Sequence, residues 1–289
     1  MKINTIYNEN CLATMLKIED NFIDLTVTSP PYDNLRDYRG YSFDFEQIAK
    51  ELYRVTKIGG VVVWVVGDAI IEGSESGNSF KQALFFKDIG FNIHDTMIYQ
   101  KTGPRFPEKI RYSQIFEYMF VFSKGAPKTV NIIKDRKNKW AGHTNWGHGG
   151  HRMKDGEMLI KPKAKPYADY GSRFNVWTYS NGYGFGTKDK NAYKHPAMFP
   201  EKLAEDHIIS WSNKNELVYD PFMGSGTTAK MALLNERNYI GSELSKEYCD
   251  IINERLMNIT KYNNDNEQNG YDLLTSYPID SNEVVDNIS

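Results

Sequence analysis

The chain has 289 residues, 40% of them hydrophobic and 13% aromatic, enough for one large α/β domain or two small ones. Its formal net charge of −2 conceals a strong internal polarity: residues 126–194 hold 14 Lys and Arg against 5 Asp and Glu, whereas residues 261–289 hold six acids against one lysine. Cys11 and Cys249 sit in no C-x-x-C or Cys/His pattern, which argues against a disulfide framework or a metal site; there is no leader-like apolar run near Met1, and the longest apolar run, 61–66, is far short of the roughly 20 residues of a membrane helix, so a soluble cytoplasmic protein is expected.

Residues 2–7 form a weakly alternating strand, broken at 8–10, after which Cys11, Leu12, Met15, Leu16 and Ile18 share a helical face. Residues 24–28 read as a buried strand that stops abruptly at Pro30-Pro31, because proline fixes φ and has no N–H to continue a ladder. The result is a stiff corner with the Ser29 hydroxyl on one side and the Tyr32 ring on the other. Such a polar cradle with a stacking plate stands at the carboxyl end of a strand, where open α/β sheets bind ligands. Residues 33–42, with Arg36 and Arg39, read as a loop over it.

Helical spacing covers 43–56, Gly59-Gly60 ends that unit, and 61–66 is the clearest buried strand, closed by Gly67-Asp68. A helix over 79–89 and strands at 97–100 and 117–122 follow, and this alternation gives an α/β layered sandwich. From Gly125 the periodicity is lost. Residues 126–194 read as an inserted, loop-rich module holding three of the five tryptophans (Trp140, Trp146, Trp177) and three of the six histidines (His143, His148, His151). Basic residues interleaved with aromatics suit a phosphate-tracking, base-contacting surface. Arg136, Lys137, Lys139, Trp140, His143, Trp146, Arg152, Lys154 and Arg173 are its candidates, with the histidines read as DNA-facing or solvated rather than metal-binding.

Regular structure restarts at His195-Pro196-Ala197, with a helix to about residue 210 and a strand at 217–219. That strand runs into Asp220-Pro221-Phe222-Met223-Gly224-Ser225-Gly226-Thr227-Thr228, followed by a helix over 229–234, a strand at 239–242, Glu243 and an amphipathic stretch at 248–256. Strand, Gly-x-Gly, helix, strand and acid make a nucleotide-binding layout: glycines let the backbone approach a ligand and the helix start presents free N–H groups. Glu243 lies where an acid reaches ribose hydroxyls. The third glycine of the dinucleotide fingerprint is absent and no Gly-Lys-Ser/Thr occurs, which excludes a P-loop. Asp220 suits a ligand carrying an amino group, and S-adenosylmethionine fits the whole set. The acidic tail, 261–289, is expected to be flexible, with a local docking segment at 271–277.

The Thr28–Tyr32 corner, the Asp220–Thr228 turn, the His195-Pro196-Ala197 lead-in and the segment 241–256, in that order, resemble the β group of amino-DNA methyltransferases of the T-S-P-P-Y type, over roughly residues 3–257. The resemblance implies a Rossmann-like α/β sandwich with a mostly parallel, mixed seven-stranded sheet. It divides the chain into a catalytic half (1–125), a target-recognition insertion (126–194), a cofactor-binding half (195–260) and the tail (261–289). It implies S-adenosylmethionine as methyl donor and double-stranded DNA as acceptor. A cognate restriction endonuclease and a monomeric or homodimeric state are compatible with it. Ser29, Pro30, Pro31 and Tyr32 become the catalytic cradle. Asn10 (or Glu9), Cys11, Thr28, His195, Pro196, Asp220, Phe222, Gly224, Ser225, Gly226, Thr227, Thr228 and Glu243 become the cofactor site; the family often has Asp where this chain has Asn10. Serine at the first cradle position goes mostly with cytosine N4 and aspartate with adenine N6, so cytosine N4 is the expected target. The alternatives are adenine N6, an RNA or protein-glutamine methyltransferase, and a non-catalytic DNA-binding protein.

Overall fold

The computed structural model describes residues 1–31, 43–102, 109–144, 151–159, 166–180, 186–187, 189, 192 and 200–267. The chain divides into two compact units, one formed by Met1–Asn131 and Asn175–Ser289, the other by Ile132–Phe174.

The larger unit is built on an eight-stranded sheet. Its strands are β1 (Thr5–Tyr7), β2 (Ile23–Thr28), β3 (Thr56–Val66), β4 (Asn92–Lys101), β5 (Phe116–Ser123), β6 (Val176–Tyr179), β7 (Leu217–Asp220) and β8 (Asn238–Ser242). Their spatial order is β1-β8-β7-β2-β3-β5-β4-β6. Only β5 runs antiparallel to its neighbours, so the other seven end at one edge. β2 and β3 read as continuous apolar runs because both faces are covered. Val62, Trp64 and Val66 join Met15, Leu52 and Phe86 in a core beneath helices α1 (Cys11–Met15), α2 (Phe45–Val55) and α3 (Asn78–Asp88). Helix α4 (Glu201–Trp211) packs on β2 and brings His207 Nε2 to 3.2 Å from Met119 Sδ of β5. Helices α5 (Thr227–Leu234) and α6 (Lys246–Glu267) complete the layers.

Three expectations change. The sheet has an eighth strand, β6, at its edge; the four residues Val-Trp-Thr-Tyr alternate exposed and buried, too short a signal to stand out from the irregular stretch around them. Gly59-Gly60 does not separate α2 from the following strand. β3 begins at Thr56, directly after the helix, and bulges through the glycine pair as its pairing passes from Ile23↔Thr56 to Leu25↔Val61. Gly59 has φ 85°, and a Cβ on Gly60 would stand 2.9 Å from the Asp24 carbonyl oxygen, so both positions require glycine. Finally, residues 261–267 of the acidic tail continue α6 rather than leaving it; residues 268–289, with the docking segment expected at 271–277, lie outside the described residues.

The smaller unit carries two short antiparallel ladders, Arg136–Lys137 with Tyr170–Gly171 and His151–Arg152 with Met158–Leu159. It lies within the insertion read from the sequence. Both chain ends that flank it are fixed in the larger unit. The Asn131 N–H donates to the Ser210 carbonyl at 2.8 Å and its side chain to the Ile209 carbonyl at 3.0 Å; the Asn175 carbonyl accepts from the Ile98 N–H at 2.8 Å.

Phe86 is fully buried, stacked on Phe122 at 4.5 Å between centroids and set edge-on to Trp64 at 5.1 Å. Phe86→Ala is expected to lower the unfolding free energy by about 3–5 kcal/mol through cavity formation, read from urea denaturation curves.

Candidate functional site

The carboxyl ends of β2 and β7 lie side by side, paired through Val218↔Leu25 and Tyr219↔Thr26. On one side of this pair the chain crosses over towards β3, on the other towards β8, and such a reversal opens a crevice at the carboxyl edge of an α/β sheet. Asp220 closes the strand pair. Its carboxylate accepts from the Thr28 hydroxyl at 2.6 Å, the Thr228 hydroxyl at 2.7 Å and the Phe222 N–H at 3.0 Å. The Thr228 hydroxyl also lies 3.2 Å from the Val27 carbonyl. All three side chains are buried. Burial pushes the Asp220 carboxyl up to about 6, against the opposing pull of Thr28, Thr228 and the Phe222 N–H. The sequence assigned Asp220 to a ligand's amino group; in the fold its carboxylate also accepts from the protein's own donors, as an acid at a buried strand end requires.

This bracket places the half-buried Ser29 and buried Pro30, which follow Thr28 directly, beside the glycine turn that precedes Thr228. Within the turn Gly224 and Gly226 have φ 54° and 83°, backbone that favours glycine. The Met223 N–H donates to the Ser242 carbonyl at 3.0 Å, tying the turn to the end of β8. Glu243, next in the chain, accepts from the Gly224 N–H at 2.9 Å and the Ser245 N–H at 2.8 Å. Burial raises its carboxyl above the ordinary range, opposed by those two N–H groups. The Glu243 N–H in turn donates to the Tyr7 carbonyl at 3.0 Å, and the Asn8 side chain donates to the Glu243 and Leu244 carbonyls. Asn10 caps α1 by accepting from the Leu12 N–H at 2.8 Å, and Cys11 is buried behind it.

Asn10, Cys11, the Asp220–Thr228 turn, Glu243, Thr28, Ser29, Pro30 and Pro31 are thus all at the ends of four adjacent strands, β1, β8, β7 and β2. Strands stand about 4.8 Å apart, so this row spans roughly 14 Å, room for a nucleoside with a side arm. Phe222, half-buried, packs edge-on against Phe43 and Trp64. Tyr32, Arg36, Arg39, Trp146, His195 and Pro196 lie outside the described residues.

The smaller unit carries the remaining candidates. Arg136 lies over the exposed Phe174 ring at 4.5 Å, Lys139 over Trp140 at 5.7 Å, and His143 edge-on to Trp140 at 5.9 Å. Trp140 is 56% exposed, and Lys137, Arg152 and Lys154 are exposed. Arg173 differs: its guanidinium is held by both oxygens of Asp135, so its charge is largely neutralised within the unit.

Sequence reasoning passed over Arg255, whose guanidinium donates to the Ser225 carbonyl inside the glycine turn. The signal was present. Arg255 falls on the same face of α6 as Ile251, Ile252, Leu256 and Ile259, and an arginine in a buried stripe demands a partner.

The family model described as DNA methylase matches residues 23–254. The chain is 62% identical over 256 residues to the orphan methyltransferase M.BamHII of Bacillus amyloliquefaciens, covering 89% of this chain and 97% of that one. Among solved structures, the PvuII DNA methyltransferase (cytosine-N4-specific) superposes with TM-score 0.63 at 20% identity, over 88% of this chain and 86% of that one. The M1.HpyAVI–SAM complex superposes with TM-score 0.56 at 24% identity, over 87% of this chain and 98% of that one.

The bracket has a pH signature. Asp220 keeps its proton to about pH 6 in the folded chain, against about 3.9 when unfolded, so the folded state binds the extra proton between those values. Its contribution to stability is therefore full below pH 4 and is lost as pH rises to 6, a change of up to about 3 kcal/mol. Asp220→Asn removes this slope. The difference in unfolding free energy between the two proteins should change from pH 4 to 6 and level off above 7; a difference constant across that range would refute the assignment.

Proposed function

Because the chain belongs to the DNA methylase family, and so is an enzyme of methyl transfer to DNA, we propose that it methylates the exocyclic amine of a base flipped out of the duplex, cytosine N4, with S-adenosylmethionine as donor. The observation that carries this reading is the Asp220 bracket: it sets the Ser29-Pro30 corner against the glycine turn, so acceptor and donor sites share one strand pair.

The residues present suit the donor. Glu243, the Gly224–Gly226 backbone and the Asn10 cap supply an acid, a turn that admits close approach and a polar end, the complement of a nucleoside with an amino-acid arm. Bound there, the cofactor supplies a methyl group made electrophilic by its sulfonium. The chain's own task is to prepare the amine. The Ser29 hydroxyl oxygen and Pro30 carbonyl oxygen each accept a hydrogen bond from one of its N–H groups, which draws the nitrogen towards tetrahedral geometry and frees the lone pair otherwise delocalised into the ring. On gaining the methyl the nitrogen would carry a positive charge and release one proton to solvent water, and no covalent enzyme intermediate forms. Tyr32 stacks on the extruded base, worth about 1–3 kcal/mol. Ring-carbon methylation would need a thiolate nucleophile. Burial pushes Cys11 up to about 12 and Cys249 up to about 11, so both are neutral thiols at pH 7.

Serine at the first cradle position supports cytosine N4 over adenine N6. Enzymatic digestion of DNA methylated by the protein, with identification of the modified nucleoside, decides between them: N4-methylcytosine is expected, and N6-methyladenine would reverse the choice of base. Ser29→Ala is expected to slow methyl transfer about 100-fold, the order found when one polar contact at a reacting centre is lost, and Tyr32→Ala by roughly 5- to 150-fold through lost stacking, each with cofactor affinity little changed by calorimetry. Near-normal turnover in either would remove the cradle from the mechanism.

The exposed Lys139, Trp140, Arg152 and Lys154 surface of the smaller unit is read as the part that meets the phosphate backbone. Lys139→Ala should reduce the log–log salt slope of DNA binding by about 0.9, one phosphate contact, without changing cofactor affinity. An unchanged slope would move the DNA surface elsewhere.

A further inference from the structure

Beneath the glycine turn lies a buried ion network that none of the chemistry above uses. The Arg255 side chain is 1% exposed; its Nε donates to Asp189 Oδ2 at 2.7 Å, one Nη to Glu201 Oε1 at 2.8 Å and the other to the Ser225 carbonyl. The same Glu201 oxygen accepts from Lys230 Nζ at 2.7 Å and from the Thr187 hydroxyl at 2.6 Å. Lys230 is 3% exposed. Two buried cations and two half-buried carboxylates, from α6, α5, the first turn of α4 and the segment before it, thus neutralise one another.

Such a network is a poor route to stability, since apolar side chains of similar volume would hold four segments together without desolvating charge. What apolar side chains cannot do is hold a carbonyl in one direction. One bond of the network reaches into the turn itself, to the carbonyl of Ser225, the residue between Gly224 and Gly226. Fixing that carbonyl fixes the Ser225–Gly226 peptide plane, whose N–H donates to the Met223 carbonyl at 2.8 Å. One helical step away on α6, Ile252 fills the space over Gly226, where an added Cβ would come to 2.8 Å from it. Helix α6 therefore grips the turn at two points, one by contact and one by a charge-assisted hydrogen bond.

We propose that Arg255 is the positioning residue of the cofactor site. It sets the conformation of the glycine turn through the Ser225 carbonyl, so cofactor affinity depends on its three-way guanidinium geometry and not on its charge alone. This rests on the turn being the S-adenosylmethionine site.

Arg255→Lys is the discriminating variant. It keeps the positive charge opposite Glu201 and Asp189, but one ammonium cannot span three acceptors on separate segments. The folded R255K protein is expected to bind S-adenosylmethionine about tenfold or more weakly by calorimetry, with DNA affinity within about twofold of wild type. In turnover the KM for S-adenosylmethionine should rise by more than kcat falls. Asp189→Asn, which removes one anchor and leaves the Ser225 bond, should weaken the cofactor alone, by about threefold, and decides the matter if R255K does not fold. Unchanged cofactor affinity in the folded variant, or an equal loss of cofactor and DNA binding, would overturn the assignment. If wild-type protein bound no S-adenosylmethionine, the cofactor reading itself would fall, and this inference with it, a result distinct from a wild type that binds and a variant that binds as well.

Discussion

A single carboxylate at the end of a short strand governs the arrangement of this site. Asp220 takes hydrogen bonds from two threonines that stand 192 and 8 residues away along the chain. Hydrogen bonds of this kind, each worth about 1–3 kcal/mol net, do not by themselves bring such distant segments together. The pairing of β7 with β2, buried on both faces, does that. Asp220 instead selects how the pair ends. A one-residue slip would turn Thr28 and Asp220 to different faces and separate the proline corner from the glycine turn. Register, fixed by burial and checked by one polar contact, is the constraint on which the chemistry depends.

Around that contact the structure assigns charged groups mostly to architecture. Glu243 holds Gly224 and the start of α6, and Asp68, after β3, accepts from the Ser76 hydroxyl and from the N–H and hydroxyl of Ser79, fixing the entry to α3. Asp220 and the Arg255 network behave alike. At the carboxyl edge of the sheet seven strands end together, and their loops need anchors that backbone pairing no longer supplies. The acids there have a structural duty even where they border a ligand site.

Much of this was legible in the residues. The runs at 24–28 and 61–66 announce central strands because nothing polar interrupts them, and the Pro30-Pro31 stop and the Gly224–Gly226 turn are backbone requirements that few other residues meet. What escaped was set by tertiary context. β6 is four residues at a sheet edge, and its partner β4 determines it more than its own sequence does. The glycine pair at 59–60 resembled a boundary, yet serves a bulge whose need arises only against Asp24 and Lys128. The structural duty of Asp220 was hidden because the threonine facing it across the sheet is remote in sequence. Arg255 showed only as a charged residue out of place on an apolar face. In each case the missing information was the identity of a distant neighbour, which local pattern does not carry. No described helix is long and apolar enough to cross a membrane.

The smaller unit enters and leaves the larger one through Asn131 and Asn175, each pinned by backbone hydrogen bonds to α4 or β4. Neither attachment involves β2, β7, the proline corner or the glycine turn. The two anchors therefore belong to α4 and β4, so the loop ends are held by parts of the sheet and helix layer other than the strand pair that carries the bracket.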